Sequence, residues 1–208
     1  MKGKFIVIEG LDGSGKGTQI ARLAAALTEK GITVHTTAEP TNGYIGKYLR
    51  QMLKDSDNKD MCLQGALFLA DRLDHVTNPG IGIKSYLDKG VTVISDRYYY
   101  SSFAYQGTAT DTDWVMDMNL NAQSMLTPDI CVFFDVNPDT CRDRINQTRE
   151  IAELYEKDID IMWQIRDNFH SVFAKLKDRE NIKIIDANRD IDEIANEVLD
   201  TVLEVLNK

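Results

Sequence analysis

The sequence predicts an α/β protein with a five-stranded parallel sheet flanked by helices. Five short, mostly apolar runs support this fold class, at residues 5–8, 32–38, 91–95, 130–136 and 182–187. Runs of this kind are typical of strands that are buried on both faces. Helical stretches separate the runs, and this alternation predicts parallel strands joined by right-handed crossovers. Ligands of such sheets bind at the carboxyl ends of the strands, so functional residues are expected there.

Eight stretches with helical character lie between and after the predicted strands, at residues 17–29, 45–53, 62–76, 83–89, 112–125, 138–147, 158–177 and 191–206. We expect one domain over residues 1–208, because a chain of this length can form a single sizeable core. Residues 146–158 are polar, rich in charge and without apolar periodicity. This segment predicts a short mobile lid.

The composition limits the kinds of partner that the protein can have. The formal net charge is −9, which argues against nucleic acid, since proteins that bind it present basic surfaces. A small phosphorylated substrate stays compatible if arginines are concentrated in its site. No apolar run approaches the roughly 20 residues that cross a bilayer, so no membrane association is expected. The absence of a targeting segment favours the cytoplasm.

A glycine-rich loop between the first strand and the first helix carries the strongest functional signal. Its nine residues are Gly10, Leu11, Asp12, Gly13, Ser14, Gly15, Lys16, Gly17 and Thr18. Strand, glycine-rich loop and helix form the context of a phosphate-binding P-loop, in which backbone N–H groups and a lysine hold phosphate oxygens. The sequence therefore predicts the P-loop NTPase fold and either transfer or hydrolysis of a nucleoside triphosphate phosphoryl group. The alternative is a glycine-rich turn without a ligand.

The end of this loop departs from the usual pattern, in which a serine or threonine follows the lysine and reaches Mg²⁺. Gly17 takes that place, and the hydroxyl comes one residue later from Thr18. The loop sequence Gly-Ser-Gly-Lys-Gly-Thr-Gln resembles the corresponding loop of small nucleotide kinases such as adenylate kinase. We therefore expect Mg²⁺ as cofactor, with Thr18 as one candidate ligand.

A second motif follows the third predicted strand, where Asp96 and Arg97 stand together. Asp96 can reach the shell of the magnesium ion, directly or through water. Arg97 can neutralise charge on the transferred phosphoryl group or on its acceptor. Taken alone, the pair could also be a structural ion pair that caps the next helix.

The surrounding residues make the pattern more specific. Residues 96–107 read Asp-Arg-Tyr, two residues, Ser-Ser, one residue and then Ala-Tyr-Gln-Gly. They resemble the signature of the thymidylate kinase family. Further segments agree in order and spacing, at residues 39–40, 45–50, 67–72 and 128–138. Ala38 departs from the family, in which arginine is common there. The resemblance spans nearly the whole chain, and it implies that ATP phosphorylates dTMP to dTDP, which supplies dTTP for DNA replication.

The resemblance also implies the residues that bind dTMP, which are Asp12, Glu39, Arg50, Phe68, Arg72, Arg97, Ser102, Tyr105 and Gln106. The helical spacing supports part of this set, because Phe68 and Arg72 are four apart and can face one pocket. An aromatic ring can stack on a pyrimidine, and a guanidinium that donates to O4 selects against cytosine. By resemblance, Ser102 and Gln106 approach the N3/O4 edge of thymine, and Tyr105 packs near the sugar.

Three assignments concern the charges around the phosphates. By resemblance, Asp12 binds the 3′-hydroxyl of the substrate sugar or organises the magnesium shell, with a solvent-facing carboxylate as the alternative. Gly13 stands where one branch of the family carries a catalytic arginine. Enzymes without it bring arginines from the lid, for which Arg144 and Arg149 are the candidates. Leu154 replaces an arginine that is common in the lid, so the exact lid donor stays open.

We therefore predict an ATP-dependent dTMP kinase in which Lys16, Arg97, Asp12 and Arg149 act in catalysis, and the loop and Arg144 bind ATP. The resemblance implies a homodimer, which the sequence itself does not show. The alternative is a kinase of another nucleoside monophosphate or of a deoxynucleoside. A GTP-binding switch is a weaker alternative, since residues 58–61 lack the final aspartate of an Asn-Lys-x-Asp motif.

Overall fold

Five parallel strands form one sheet in the order β2-β3-β1-β4-β5. The computed structural model describes residues 2–54, 60–148 and 158–207. The strands are β1 (Phe5–Gly10), β2 (Val34–Ala38), β3 (Thr92–Asp96), β4 (Ile130–Asp135) and β5 (Ile182–Asp186). Each predicted strand is present to within two residues at either end, and β1 continues to Gly10. The predicted α/β class and parallel sheet are thus confirmed.

The helices of the described residues are α1 (Lys16–Glu29), α2 (Tyr44–Lys54), α3 (Met61–Thr77), α4 (Ile83–Asp88), α5 (Tyr99–Gln106), α6 (Thr112–Leu120), α7 (Pro138–Thr148), α8 (Ile159–Leu176) and α9 (Ile191–Leu206). The stretch at residues 112–125 was predicted too long. Asn121 caps α6 there, and its backbone N–H bonds to the carbonyls of Asp117 and Asn119. The chain then runs irregularly to Pro128.

The expectation that all five strands are buried on both faces is wrong for β2 and β5. Every residue of β1 is buried, whereas β2 is exposed at alternate positions and Ile184 of β5 is 42% exposed. The sheet order explains the difference, because β2 and β5 are the edge strands and have a neighbour on one side only. The central strands β1, β3 and β4 are buried along nearly their whole length.

The carboxyl ends of the strands bring the sequence motifs together. Ile8 pairs with Asp96 and Gly10 pairs with Phe134, so the glycine-rich loop leaves the sheet between the ends of β3 and β4. Ala38 also pairs with Asp96, which adds the end of β2 and the segment that follows it. Among the described residues, none of the helices is both long enough and apolar enough to cross a membrane.

Candidate active site

The phosphate loop needs glycine where its backbone turns back. Gly13 and Gly15 have φ angles of 79° and 92°, in the left-handed region that L side chains rarely adopt. A Cβ atom on Gly13 would lie 2.4 Å from the carbonyl oxygen of Cys141 in α7. An arginine therefore has no room at this position unless α7 moves, which explains why this loop contains no catalytic arginine of its own.

Lys16 begins α1 and reaches back across the loop. Its Nζ atom donates to the carbonyl oxygens of Gly10 and Leu11, at 3.1 and 3.0 Å. The side chain is buried, and this burial, together with the positive charge of Arg97, lowers its pKa. The buried hydroxyl of Ser14 has no hydrogen-bond partner among the described residues. The loop thus holds a buried ammonium group and a buried hydroxyl that has no partner among the described residues.

A cavity of about 300 Å³ opens beside the loop, between two arginines that come from different parts of the chain. Arg144 donates to the carbonyl of Gly13 at 3.3 Å, and Arg189 donates from Nε to the carbonyl of Asp186 at 2.9 Å. The other lining residues come from the loop, α1 and the start of α9: Ser14, Gly15, Thr18, Gln19, Ala187, Ile191 and Ile194. Arg189 was not among the predicted site residues, although it comes shortly after the carboxyl end of β5.

Arg97 lies at the centre of the site and contacts three side chains. Its guanidinium donates to Asp12 at 2.8 Å, to Ser101 at 2.9 Å and to the hydroxyl of Tyr105 at 3.2 Å. Burial by itself lowers the pKa of Arg97, but the nearby carboxylates, Asp12 first, raise it well above its usual value. Arg97 therefore stays charged, as a group that neutralises phosphate charge must.

The backbone of Arg97 is strained, with φ at 71°. A non-glycine residue in this conformation costs about 1–3 kcal/mol and persists only where the surroundings fix it. Two hydrogen bonds fix it here: the N–H of Arg97 donates to Ile8 at 2.9 Å, and the hydroxyl of Ser95 donates to its carbonyl at 2.8 Å. Strain of this kind is common at functional sites.

The predicted base-binding residues meet between α3 and α5. Arg72 is 1% exposed and donates to Ser102 at 3.1 Å, to Glu39 at 2.7 and 2.8 Å, and to Asn119 at 2.6 Å. Asn119 was not anticipated, since it comes from α6. The guanidinium of Arg72 is thus held on three sides, and it orients the Ser102 hydroxyl.

Gln106 and Phe68 complete this pocket. Gln106 is buried one helical turn after Ser102, and its Oε1 atom has no hydrogen-bond partner among the described residues. Phe68 is partly exposed and lies one turn before Arg72 on α3, on the same face as Gly65. The Cβ position of Gly65 is 3.8 Å from Cγ of Gln106, so this part of α3 packs close to α5. Gln106 therefore keeps an acceptor oxygen without a described partner close to α3, the helix that also carries Phe68.

Arg50 is tied to the segment that follows β2. It donates to the carbonyl oxygens of Pro40 and Thr41 and, at 2.8 Å, to Asn42. Asp71, which the sequence analysis missed, holds the same segment by accepting the N–H and hydroxyl of Thr41 at 2.7 and 2.6 Å. Arg50 lines a cavity of about 710 Å³ that also includes Asp96, so it faces the end of β3.

The residues suggested for Mg²⁺ supply hard oxygen donors, the type that this ion prefers. Oδ1 of Asp96 is buried without a hydrogen-bond partner among the described residues, which fits a carboxylate that is reserved for a cation. Asp96 and Gly17 line the same cavity, whereas Thr18 lines the smaller cavity beside the loop. Asp96 therefore fits the ion, whereas the structure does not bring Thr18 to the same cavity.

Part of the predicted lid lies outside the described residues, including Arg149 and the segment 149–157. At its start, α7 continues through Thr148, so residues 146–148 are helical. At its end, Asp158 caps α8 by accepting the N–H of Asp160.

Comparison with known proteins agrees with this geometry. The profile of the family described as thymidylate kinase matches residues 8–198. A probable thymidylate kinase of Staphylothermus marinus is 36% identical over 205 residues, covering 98% of this chain and 96% of that protein. The thymidylate kinases of Exiguobacterium sp. and Carboxydothermus hydrogenoformans are 32% and 35% identical, covering 100% and 95% of this chain and 98% and 96% of their own lengths. Because the profile matches most of the chain and these relatives are at least 32% identical over nearly all of it, the chain belongs to the thymidylate kinase family.

Proposed function

We infer that the protein transfers the γ-phosphoryl group of ATP to dTMP, which gives ADP and dTDP for dTTP synthesis. The observation that carries this inference is the 2.8 Å hydrogen bond between Arg97 and Asp12. It joins the phosphate loop to the start of the helix that lines the base pocket. Two nucleotides can therefore meet end to end, with donor phosphates at the loop and the acceptor phosphate beside Arg97.

ATP occupies the loop and the adjoining cavity. Lys16 and the loop amides hold its phosphates, and the purine base lies between Arg144 and Arg189. Planar guanidinium groups stack well on aromatic rings, which supports this placement. The cavity between the two arginines, about 300 Å³, opens directly beside Ser14 and Gly15 of the loop.

dTMP occupies the space between α3 and α5. Arg97 and Arg50 hold its phosphate, Phe68 stacks on the base, and Tyr105 packs near the sugar, where it disfavours a 2′-hydroxyl. The Oε1 atom of Gln106, which has no partner in the described part of the chain, supports a contact with the N3–H of thymine. Cytosine has an unprotonated N3, which would place two acceptors against each other. Arg72 pairs with Glu39 and donates to the hydroxyl of Ser102, so the two residues hold this side of the pocket in place.

Catalysis consists of positioning and charge neutralisation, without a covalent intermediate. Lys16 and Arg97 approach the transferred group from the donor and acceptor sides. Asp12 orients Arg97 and faces the sugar of the acceptor. Mg²⁺ would be held by Asp96 and Thr18, directly or through water, and when bound it neutralises charge on the donor phosphates.

We further propose that residues 1–208 form a single domain and that residues 146–158 close over the nucleotides. Arg149 and Arg144 would then add positive charge from the lid side. Closure of this kind excludes water and limits wasteful hydrolysis of ATP. Localisation in the cytoplasm and the absence of a nucleic-acid partner stay predictions.

We also propose that the protein is a homodimer. Leu63 on the outer face of α3 and Trp114 on the neighbouring α6 are 42% and 41% exposed, with Ala66 exposed beside Leu63. Exposed apolar side chains grouped on two helices that contact each other suit the interface with a second copy. Light scattering of the purified protein tests this proposal, and a monomer at micromolar concentration would contradict it.

A substrate panel tests the activity itself. Release of ADP from ATP is followed with dTMP, dUMP, dCMP, AMP and thymidine as acceptors, with Mg²⁺ present. We expect dTMP to give the highest kcat/KM among dTMP, dCMP, AMP and thymidine, because Gln106 and the Phe68 ring suit a thymine base. Faster turnover of dCMP, AMP or thymidine would contradict the assignment. A Lys16→Ala variant serves as the control for contaminating kinases, since it removes the cation at the donor phosphates.

A further inference from the structure

Glu9 is a fully buried carboxylate directly beneath the site, and the mechanism described above does not use it. It occupies the penultimate position of β1, one residue before the loop begins, and its exposed fraction is 0%. A buried acid costs stability unless its oxygens are well bonded, so its contacts are informative.

Both carboxylate oxygens of Glu9 are directed at the start of α5. Oε1 accepts the N–H groups of Tyr98 and Ser101, at 2.8 and 3.1 Å. Tyr98 is the N-cap residue of α5, and no side chain of that helix caps it. One oxygen from β1 thus accepts the N–H of Tyr98 and shares the N–H of Ser101 with the backbone carbonyl of Tyr98, which lies 3.2 Å from that nitrogen. The carboxylate of Glu9 also lies where the helix dipole favours negative charge.

The second oxygen is linked to the guanidinium of Arg97. Oε2 of Glu9 accepts the hydroxyl of Ser101 at 2.6 Å, and the oxygen of that hydroxyl accepts Nη1 of Arg97 at 2.9 Å. Ser101 therefore links Glu9 to Arg97 through two hydrogen bonds, so the position of the Glu9 carboxylate constrains the guanidinium. The other terminal nitrogen of Arg97 is held by Asp12, so the guanidinium is fixed at two points.

We propose that Glu9 is the positioning residue for Arg97, holding the guanidinium through Ser101 and holding the start of α5 through the N–H groups of Tyr98 and Ser101. The inference rests on the proposed function, in which Arg97 acts on the transferred phosphoryl group. Glu9 touches neither nucleotide. Its effect is to fix the cation relative to the loop that follows it in the chain, and errors of about 1 Å in such placement can cost about a hundredfold in rate.

The contacts that run from Glu9 through Ser101 to Arg97 form a relay. Two conservative variants distinguish the effect of the relay on catalysis from an effect on the overall stability of the protein. Glu9→Gln keeps Oε1 for the two N–H groups but presents an amide donor to Ser101, so the hydroxyl loses its acceptor. Ser101→Ala removes the hydroxyl and leaves the two N–H groups in place. In steady-state assays of the full chain with ATP, dTMP and Mg²⁺, we expect kcat to fall about tenfold to a hundredfold in both variants. The KM for ATP should stay within about twofold, because the relay does not reach the donor cavity.

Tyr99→Phe is the matched control. It also removes a hydroxyl of α5 that donates to a carboxylate, Glu180 at 2.9 Å, but this bond does not contact Arg97. Its kcat should stay near that of the unmodified protein. If Tyr99→Phe lowers kcat as much as Ser101→Ala, the effect comes from loosening α5 in general and the proposal is overturned.

The decisive measurement repeats Glu9→Gln in an Arg97→Ala background. If Glu9 acts through Arg97, the second change should lower kcat by no more than about twofold, since the group that it positions is already gone. An equal loss of kcat with and without Arg97 overturns the proposal and leaves the proposed function intact, as does wild-type kcat in Glu9→Gln. Full turnover by Arg97→Ala alone would overturn both the mechanism and the relay.

Discussion

Arg97 donates a hydrogen bond from Nη2 to Oδ1 of Asp12 at 2.8 Å, although the two residues are 85 positions apart in the chain. The bond connects the end of β3 to the phosphate loop. The Arg97 side chain is only 15% exposed, so its charge is partly shielded from water. A cation that is fixed and partly desolvated before the substrates arrive can stabilise developing charge without reorganising.

Replacing Arg97 should therefore affect turnover more than binding of ATP. We expect Arg97→Ala to lower kcat by about 10²–10³, the usual effect of removing one electrostatic donor. Steady-state kinetics with saturating ATP and dTMP measure this change. Arg142→Ala is the control, because Arg142 pairs with Asp139 on the exposed surface of α7. Retention of most of the turnover by Arg97→Ala would remove this residue from the mechanism.

Gln106 should decide how well the acceptor base is recognised. Its Oε1 is buried and without a partner among the described residues, so Gln106→Leu removes an acceptor that the base would use. We expect the KM for dTMP to rise about tenfold or more, since an unsatisfied buried group costs about 1–3 kcal/mol. The KM for ATP should change little. Gln123→Leu, at an exposed position, is the control. Equal increases in both KM values would contradict a role in reading the base.

Local patterns in the sequence were sufficient for the strands, the loop and most of the helices. Apolar runs and helical periodicity are properties of neighbouring residues, and the glycine-rich loop is likewise a local motif that indicates phosphate binding. Phe68 and Arg72 both lie on α3, as predicted, but that their side chains face one pocket stays a prediction. The strand order could not be obtained in this way, because it depends on which runs pair across the sheet. For the same reason, the exposed sides of the edge strands β2 and β5 were not anticipated.

The supporting contacts of the site also lay beyond local patterns. Arg72 was assigned to the thymine O4, but the structure engages its guanidinium with Glu39 and Asn119, which come from β2 and α6. The link from Glu9 to Ser101 requires the register in which Ile8 lies beside Asp96. A glutamate inside an otherwise apolar strand was a visible signal that a buried partner exists, although it could not identify Ser101.

The contacts of Arg72 change what its removal is expected to do. Arg72→Ala would leave Glu39 as a buried carboxylate that has lost its main partner, a change that costs about 3–5 kcal/mol of unfolding free energy. Chemical denaturation measures this loss, and Arg142→Ala should change stability by less than about 1 kcal/mol. Adding Glu39→Gln to Arg72→Ala should recover part of the loss, because the unpaired charge is removed. A stability loss below about 1 kcal/mol in Arg72→Ala would show that the pair contributes little.

Gly17 stands where a hydroxyl usually follows the loop lysine, and the structure has room for one. A Cβ atom at Gly17 would meet no atom of the described residues within 4 Å, and the residue lines the same cavity as Asp96. We expect Gly17→Ser to lower the Mg²⁺ concentration that gives half-maximal activity. It should also enlarge the shift in melting temperature that Mg²⁺ and ATP produce. Gly17→Ala is the control, since it adds the Cβ atom without the hydroxyl and gains at least as much helix propensity as serine does. Identical behaviour of the two variants would exclude Gly17 as a position near the ion.

The stability of the protein should depend on pH through Glu9. Burial raises the pKa of Glu9 to about 7 from its usual 4.5, against the lowering effect of Arg97 and the hydrogen bonds from Ser101 and Tyr98. Between these two pKa values, the folded protein keeps a proton that the unfolded chain has released. Because the folded state then binds more protons, the contribution of Glu9 to stability falls as the pH rises through this window.

Glu9→Gln removes this contribution, because an amide does not titrate. The unfolding free energy of the variant, minus that of the unmodified protein, should therefore become more positive by roughly 3 kcal/mol from about pH 5 to about pH 8. Urea denaturation at several pH values measures this difference. Glu204→Gln, which removes an exposed carboxylate on α9, should leave the difference nearly constant. A constant difference for Glu9→Gln as well would mean that Glu9 keeps the same charge in the folded and unfolded protein, so that its hydrogen bonds offset its burial.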